Sequence, residues 1–433
     1  MLTVEGIQHL TVETPLPRII KVHQHFDAPQ LEDVEGAIHR ELERLGVTSR
    51  ITPGMRVALT AGSRGIYDIA RILRAVAAEV KRAGGLPLVI PAMGSHGGST
   101  AEGQKELLAS LGVTEESVGC PIHSSMETVI LGHLPNGLAI HMDRLAYEAD
   151  AIIPINRVKP HTDFKGDIES GLAKICVIGL GKRDGAEVIH SFGTKGLRTL
   201  LAPVAQYMVQ HSKKFLCGLA ILENAYDRTA RIEAIPALEI GGQRERELLN
   251  EARNLMASLP FDHIDLLIVD EIGKNISGTG MDTNILGRMF IHGEPEFTRP
   301  DITCLVILDL TDASHGNGAG IGLADITTER LARKLDLTAT YINGITSGIG
   351  GVQRIKLPAV MPTDQAAISF GLRACGRPDT QNVRVVRIKN TLELSDMWIS
   401  ETLLPEAQAH SRLTVTGSLQ AMSFGSNGEV WSW

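Results

Sequence analysis

The sequence has 433 residues, of which 43% are hydrophobic and 21% charged, and these fractions are typical of folded rather than disordered proteins. The 50 acidic and 42 basic residues give a net charge of -8 without any basic block, so nucleic acid is not an expected partner. No apolar run is long enough to span a membrane, and the N-terminus lacks the pattern of a secretory signal. We therefore expect a cytoplasmic protein without membrane contact.

The chain alternates β-prone runs with amphipathic stretches, and turns containing Gly or Pro separate them. Strand, helix and strand follow one another between Met55 and Pro91, which predicts a βαβ unit with parallel pairing. In chain order we expect edge strands and a helix over 31–45 within the first fifty residues, a strand over 55–60, a helix over 66–83, a strand over 86–91, a helix over 101–111, strands over 149–155, 263–269 and 304–308, and an alternating stretch over 413–433.

This order predicts an α/β fold with two α/β domains, mainly parallel sheets and an active-site cleft between the domains. Residues 1–260 are expected to form the N-terminal domain that holds the catalytic and cofactor-anchoring residues. Residues 261–405 are expected to form the C-terminal α/β domain. Residues 406–433 are interpreted as a terminal strand segment that is able to return to the first domain.

Three polar turns follow predicted strands. They carry Arg64 in AGSRG, His96 in GSHGGST and His161 in NRVKPHTDFKG. Because ligands bind at the carboxyl ends of strands in open α/β sheets, we expect these three side chains to converge. The GxGxxG, GxxxxGK[ST] and GxSxG motifs are all missing from the sequence, which gives no support to a Rossmann site, a P-loop or a Ser-His-Asp hydrolase. The five cysteines contain no CxxC pair, so a zinc–thiolate or iron–sulfur site is not expected either.

The segment 160–191 is more informative. It opens with a Pro-His pair, carries Lys174 in SGLAK, and ends with His190 in EVIHS. Together with the three upstream turns, this segment resembles the nickel-pincer lactate racemase family of 2-hydroxyacid racemases and epimerases. The resemblance covers about residues 50–195, and a weaker match lies at Gly280–Asn284 (GMDTN).

The resemblance implies a role for each matching residue. Lys174 would anchor the nickel-pincer nucleotide, a pyridinium-3-thioamide-5-thiocarboxylate mononucleotide with nickel, through a thioamide. His190 would complete the coordination of the nickel. His96 and His161 would alternate as general base and general acid on the substrate hydroxyl. Arg64 would bind the substrate carboxylate or stabilise charge. Lys165 and Lys182 are competing lysines in the same segment.

The chemistry of these residue types agrees with those roles. Inverting a 2-hydroxyacid by hydride transfer needs a hydride acceptor and one proton-transfer group on each face of the substrate. Histidine suits this task because its pKa, near ~6.5, lets it hold or release a proton near neutrality. A guanidinium binds a carboxylate with two parallel hydrogen bonds. A lysine is a nucleophile only when deprotonated, and burial favours that form.

Three positions depart from the pattern of the family. The first turn begins with Ala61 instead of an acidic residue, and the anchoring loop reads Gly-Leu-Ala-Lys instead of Gly-Gly-Arg-Lys. In the second domain, Leu286-Gly287-Arg288 replaces a Tyr-Gln pair and a substrate-facing lysine, so Arg288, or else Lys274, is the candidate substrate-binding residue there. These changes favour a larger or more polar hydroxyacid than lactate, including a sugar acid.

Three hypotheses remain open at this point. The first is a nickel-pincer-dependent 2-hydroxyacid racemase or epimerase, an isomerase whose partners are a small 2-hydroxyacid and cofactor-biosynthesis proteins. The second is a divalent-metal lyase or hydrolase that uses His96, His161 and Asp163. The third is a non-catalytic protein that binds a small anion.

Overall fold

The computed structural model describes residues 14–431 and 433. The first 13 residues, where the sequence predicts edge-strand structure and no secretory signal, lie outside the described residues. Within the described residues, no helix is both long and apolar enough to cross a bilayer.

The strands are spread over the whole described chain. They are, in order, β1 (Arg18–Gln24), β2 (Arg56–Ala61), β3 (Leu86–Pro91), β4 (Thr128–His133), β5 (Ala139–Asp143), β6 (Ala151–Ile153), β7 (Ile155–Arg157), β8 (Cys217–Glu223), β9 (Thr229–Pro236), β10 (His263–Ile272), β11 (Asp301–Leu310), β12 (Ile326–Thr328), β13 (Ala359–Met361), β14 (Val385–Ile388), β15 (Asp396–Ser400), β16 (Leu413–Val415) and β17 (Gln420–Ala421).

Helices separate most of these strands. They are α1 (Val34–Arg44), α2 (Ile69–Arg82), α3 (Ala101–Ser110), α4 (Glu115–Val118), α5 (Arg144–Glu148), α6 (Leu172–Lys174), α7 (Lys182–His190), α8 (Gly193–Ser212), α9 (Gln243–Leu255), α10 (Thr283–Leu286), α11 (Glu329–Lys334), α12 (Leu337–Thr346), α13 (Gly348–Arg354), α14 (Asp364–Ala374) and α15 (Leu404–Ala409). A single turn of π-helix over Ile175–Gly179 continues α6.

The chain forms two compact units. The N-unit comprises Asp27–Met256, and the C-unit comprises Met1–Phe26 together with Ala257–Trp433. The sequence-based division assigned the first 26 residues to the N-terminal domain. Of these, residues 14–26 lie with the C-unit, because β1 pairs antiparallel with both β15 and β16.

The N-unit contains two short sheets and a hairpin. Strands β3, β2 and β6 form a parallel sheet, and β7, β8 and β9 form a second sheet in which β7 and β8 are parallel. Strands β4 and β5 form the antiparallel hairpin. Helix α2 packs an apolar stripe that includes Ile72, Val76 and Val80, all with no exposed surface, into the core beside β2. The predicted βαβ unit is therefore confirmed.

The C-unit is built on one large sheet in the order β13-β12-β11-β10-β14-β15-β1-β16, and β17 pairs with β1. The five strands from β13 to β14 are parallel, and the remaining pairs are antiparallel. Continuous buried runs in β10 and β11 explain why these strands occupy the middle of the sheet, covered on both faces. The predicted α/β class with mainly parallel sheets is confirmed.

Candidate functional site

Two of the predicted turns leave the same edge of a sheet. Strands β2 and β3 are parallel neighbours, and their last residues, Ala61 and Pro91, lie opposite each other. The turns that follow are therefore adjacent, and the Nδ1 atom of His96 forms a short hydrogen bond with the Ser63 hydroxyl. Arg64, next to Ser63, and His96 are both exposed to solvent at this edge.

The loop that carries His96 has a backbone shape that requires glycine. Gly97 has a φ of +67°, and a Cβ atom there would lie 2.6 Å from the backbone nitrogen of Gln104. The side-chain amide of Gln104 is buried beneath this loop and donates to the carbonyl oxygens of Gly94 (2.9 Å) and His96 (3.3 Å). The position of His96 is thus set by the conformation of the loop backbone and by the hydrogen bonds that the loop accepts from Gln104.

The His161 loop is held from below by a buried carboxylate. Glu169 accepts hydrogen bonds from the backbone N–H groups of His161 (2.5 Å) and Gly166 (3.2 Å). Arg253 of α9 neutralises this carboxylate across 2.7 Å. The His161 ring also packs against the buried Phe164 ring, with centroids 4.6 Å apart. These contacts fix both the backbone and the ring of His161.

Hydrogen bonding assigns the tautomer of His161. The Asp163 backbone N–H donates to His161 Nδ1 (3.0 Å), so Nδ1 is an acceptor and the neutral ring carries its proton on Nε2. His161 Nε2 lies 2.6 Å from Lys174 Nζ. Since Nε2–H donates, the Lys174 nitrogen must accept, and only a neutral amine has the lone pair to do so. The contact therefore selects the nucleophilic form of Lys174.

Electrostatics favour the same form of the lysine. Lys174 is the last residue of α6 and is half-buried. Burial among protein atoms lowers the pKa of Lys174 to about 8; the charge of Asp163 opposes this shift, and the charges of Arg64 and Lys159 add to it. About a tenth of Lys174 is therefore deprotonated at pH 7, far more than of a lysine with an ordinary pKa.

The segment that bears Lys174 is anchored by a second buried carboxylate. Glu245 of α9 accepts from the backbone N–H of Ala173 with both oxygens (3.0 and 3.2 Å) and from that of Gly241 (2.7 Å). Burial raises the pKa of Glu245, while these backbone hydrogen bonds oppose the shift. A Cβ atom at Gly171 would lie 2.3 Å from a Glu245 oxygen, so any other residue there would displace the carboxylate from these hydrogen bonds.

His190 lies at the end of α7 and is coupled to the same group of charges. Its side chain is accessible to solvent, yet the surrounding protein lowers the pKa of His190, and the nearby Lys174 charge lowers it further. Asp163 opposes both effects. The neutral imidazole, which is the form that binds a metal, is thereby favoured.

Five of the six sequence-predicted site residues therefore lie in the N-unit and are linked by contacts or by charge. Ser63 connects His96 to the turn of Arg64, and Asp163 is electrostatically coupled to Arg64, Lys174 and His190. Such a group combines a cationic anchor for an anion, two imidazoles for proton transfer and a nucleophilic amine. The catalytic and binding roles of these residues remain predictions, as does the location of the site between two domains.

Arg288, the sixth predicted site residue, is engaged elsewhere. It lies in the C-unit, where its side chain is buried and forms an ion pair with Asp325 (2.8 Å). Its other guanidinium hydrogen bonds go to the carbonyl oxygens of Leu323, Ile302 and Thr303. A buried guanidinium with these partners is a poor ligand for a substrate carboxylate. Lys274, the alternative candidate, donates to the Gly278 carbonyl oxygen across 2.5 Å.

The sequence analysis did not identify the supporting residues Glu169, Gln104 and Glu245. Each acts through backbone groups that are distant in sequence or belong to another element, and a single sequence carries no signal for such contacts. Among the described residues, no three His, Cys, Asp or Glu side chains are arranged to hold a metal ion by themselves.

The fold and this group of residues define an α/β protein in which a half-buried lysine, Lys174, contacts the ring of His161. Residues 6–196 match the family model of the lactate racemase N-terminal domain. The resemblance to the lactate racemase family that was inferred from the sequence is therefore confirmed for this part of the chain.

Similar solved structures include a crystal structure of a Thermotoga maritima protein, 14% identical with a TM-score of 0.47, covering 66% of this chain and 72% of that one. The lactate racemase apoprotein from Thermoanaerobacterium thermosaccharolyticum is also 14% identical, with a TM-score of 0.41, covering 67% of this chain and 74% of that one. No curated protein matches the chain.

Proposed function

We propose that this protein is a 2-hydroxyacid racemase or epimerase that inverts C2 by proton-coupled hydride transfer with a nickel-pincer nucleotide bound to Lys174. The observation that carries the proposal is the 2.6 Å contact between His161 Nε2 and Lys174 Nζ, because with His161 Nδ1 accepting from the Asp163 N–H this hydrogen bond favours the neutral form of the lysine. An amine in that form can attack the carbon of a thiocarboxylic acid group, so that the C–N bond of a thioamide forms while the C–O bond breaks and water leaves, which is the chemistry that a covalent anchor needs.

The residues fit this cofactor. Lys174 offers a nucleophilic amine, and His190, coupled to it electrostatically, offers a neutral imidazole as a nickel ligand. When bound, the nickel-pincer nucleotide supplies the acceptor for the hydride from C2.

The protein side chains supply binding and proton transfer. Arg64 is exposed at the carboxyl edge of β2, where its guanidinium can bind the substrate carboxylate with two hydrogen bonds. His96 and His161 hold or release the hydroxyl proton, one for each enantiomer. The Ser63 hydroxyl can donate to or accept from His96 Nδ1, so His96 can adopt either neutral tautomer and present a basic Nε2.

We extend the proposal to substrate, partners and location. The replacement of an acidic residue by Ala61 and of the Gly-Gly-Arg-Lys loop by Gly-Leu-Ala-Lys favours an acid larger or more polar than lactate, such as a sugar acid. Cofactor-biosynthesis proteins would be the partners that load Lys174. A cytoplasmic location agrees with five cysteines that are all buried free thiols.

Cofactor loading is tested by intact mass after co-expression with cofactor-biosynthesis proteins. We expect the wild-type protein to carry one adduct and one nickel ion. His190→Ala should carry the adduct without retaining nickel, and Lys174→Met should carry neither. Lys195→Met is the matched control, because Lys195 is an exposed lysine on α8, and it should load normally. An adduct of full size on Lys174→Met would overturn the assignment of the anchor.

A further inference from the structure

Lys182 is a buried cation close to the site. Its side chain has no exposed surface, and neither has that of Asp143, with which it forms an ion pair across 3.0 Å. Asp143 also accepts from the Ala146 backbone N–H (2.9 Å) and so caps α5. Burial lowers the pKa of Lys182 and raises that of Asp143, while the mutual attraction of the two charges opposes both shifts.

The Lys182 ammonium directs the orientation of a neighbouring amide. Lys182 Nζ donates to the Pro91 carbonyl oxygen at the end of β3 (2.5 Å) and to Gln104 Oε1 (3.0 Å). Because a cation occupies the oxygen side of this amide, its NH₂ group must face the other way. That group donates to the carbonyl oxygens of Gly94 and His96. The ammonium thus determines which hydrogen bonds the His96 loop receives.

The same residue begins the helix that presents His190. Lys182 is the first residue of α7, His190 is the last, and Lys182 has a φ of +54°, which L residues rarely adopt. The first turn of α7 forms a further contact, since Asp184 accepts a hydrogen bond from the Thr128 hydroxyl (2.9 Å). The start of α7 is therefore fixed relative to the strand end that leads to His96.

Stability alone does not explain an ion pair in this position. A well-packed apolar pair is usually at least as stabilising as a buried ion pair, whereas charged groups impose direction and geometry on their partners. Here the groups that Lys182 orients are the end of β3, the side-chain amide of Gln104 and the start of α7.

We propose that Lys182 is a positioning residue of the site: it places His96 through Gln104 and places His190 through the start of α7. The chemical roles of the two histidines rest on the function proposed above, but their placement by Lys182 does not.

The test measures His96 in cofactor-free protein by the ¹⁵N chemical shifts of its ring. Gln104→Leu removes both hydrogen bonds to the loop with little change in volume. The double variant Lys182→Met/Asp143→Asn removes both charges together, so that no unpaired charge stays buried. Glu79→Met is the control, because Glu79 is a buried carboxylate elsewhere in the N-unit that pairs with Arg82.

We expect the His96 Nδ1 resonance to shift in Gln104→Leu and in the double variant, since its hydrogen bond with Ser63 depends on the loop. Glu79→Met should leave this resonance unchanged even if it lowers thermal stability as much as the other variants do.

In loaded protein, Gln104→Leu and the double variant should lower kcat about 10–100-fold, which is the effect expected when a catalytic group is slightly misplaced. The double variant should also retain less nickel. An unchanged His96 resonance in folded Gln104→Leu would overturn the proposal, even if the double variant fails to fold. If the loaded wild-type protein has no racemase activity, the proposed function is contradicted. The role of Lys182 is then still tested by the His96 resonance, which is measured without cofactor.

Discussion

Lys174 is an activated lysine because two separate effects favour its neutral form. Burial lowers the pKa of Lys174 to about 8, and the Nε2–H group of His161 donates a hydrogen bond that only the free amine accepts. Both effects make the Lys174 amine a weaker base than an ordinary lysine. The ammonium form predominates below pH 8, and the nucleophilic form predominates above it.

This activation predicts the pH dependence of acylation of the cofactor-free protein. The rate at Lys174 should rise through a midpoint near pH 8, whereas lysines with an ordinary pKa of about 10.4 react through a midpoint roughly two units higher. His161→Phe removes the Nε2–H donor and should move the midpoint upward. Competitive labelling with acetic anhydride, read by mass spectrometry of the Lys174 peptide, gives both midpoints. A wild-type midpoint at the ordinary lysine value would refute the activation.

The two histidines should differ in the enantiomer that they serve. In a two-base site each enantiomer presents its hydroxyl to a different imidazole. His96→Ala should therefore slow the single-turnover loss of one enantiomer, and His161→Ala that of the other, by about 10²–10⁴-fold. The measurement is the disappearance of each pure enantiomer over loaded enzyme in excess. Equal losses for both enantiomers in both variants would instead indicate that one histidine only binds the carboxylate.

At this scale the sequence identifies candidate residues but reveals few of their contacts. The order and spacing of Arg64, His96, His161, Lys174 and His190 identify residues that the fold brings together in one unit. Arg288 shows the limit of such reasoning, because its replacement of a lysine in the motif suggests substrate contact, while its ion pair with Asp325 appears only in three dimensions. Lys182 was seen only as one of several lysines, and its burial is equally invisible in the sequence.

At the scale of elements, α9 supports the segment of Lys174 through one buried carboxylate. Glu245→Ala would leave the backbone N–H groups of Ala173 and Gly241 without their acceptor, which costs about 2–4 kcal/mol in unfolding free energy. Glu247→Ala on the same helix is the control, because Glu247 is exposed and its loss should change stability very little. Urea unfolding of both variants tests this expectation. Equal stability of Glu245→Ala and the wild type would show that these hydrogen bonds contribute nothing.

Several elements lie where periodicity predicts them, and one departure from the prediction has a local cause. The strand over 86–91 and the helix beginning at 101 lie where predicted, whereas the stretch over 149–155 forms two strands instead of one. Pro154 separates β6 from β7, because a proline has no N–H to continue the ladder. β6 pairs with β2 and β7 with β8, so the chain changes sheets at that residue. A hydrophobic run alone does not reveal with which strand each half of it will pair.

At the scale of the whole molecule, the C-unit depends on a strand from the start of the chain. Val22 is fully buried in β1, between β15 and β16. Val22→Asp should therefore increase hydrogen exchange in 396–400 and 413–415 while leaving 151–157 protected. Val34→Asp, a buried position on α1 in the N-unit, should give the reverse pattern. Increased exchange across both units in either variant would contradict the division into two units.

The central claim, inversion at C2 by a site built on Lys174, is tested most directly by chiral chromatography. Loaded protein is incubated with single enantiomers of several 2-hydroxyacids, sugar acids included, and the configuration at C2 is followed over time. We expect wild-type protein and Lys195→Met to convert at least one acid into a mixture of both C2 configurations, and Lys174→Met to convert none. Unchanged configuration of every acid over fully loaded wild-type protein, or inversion by Lys174→Met at the wild-type rate, would contradict the account.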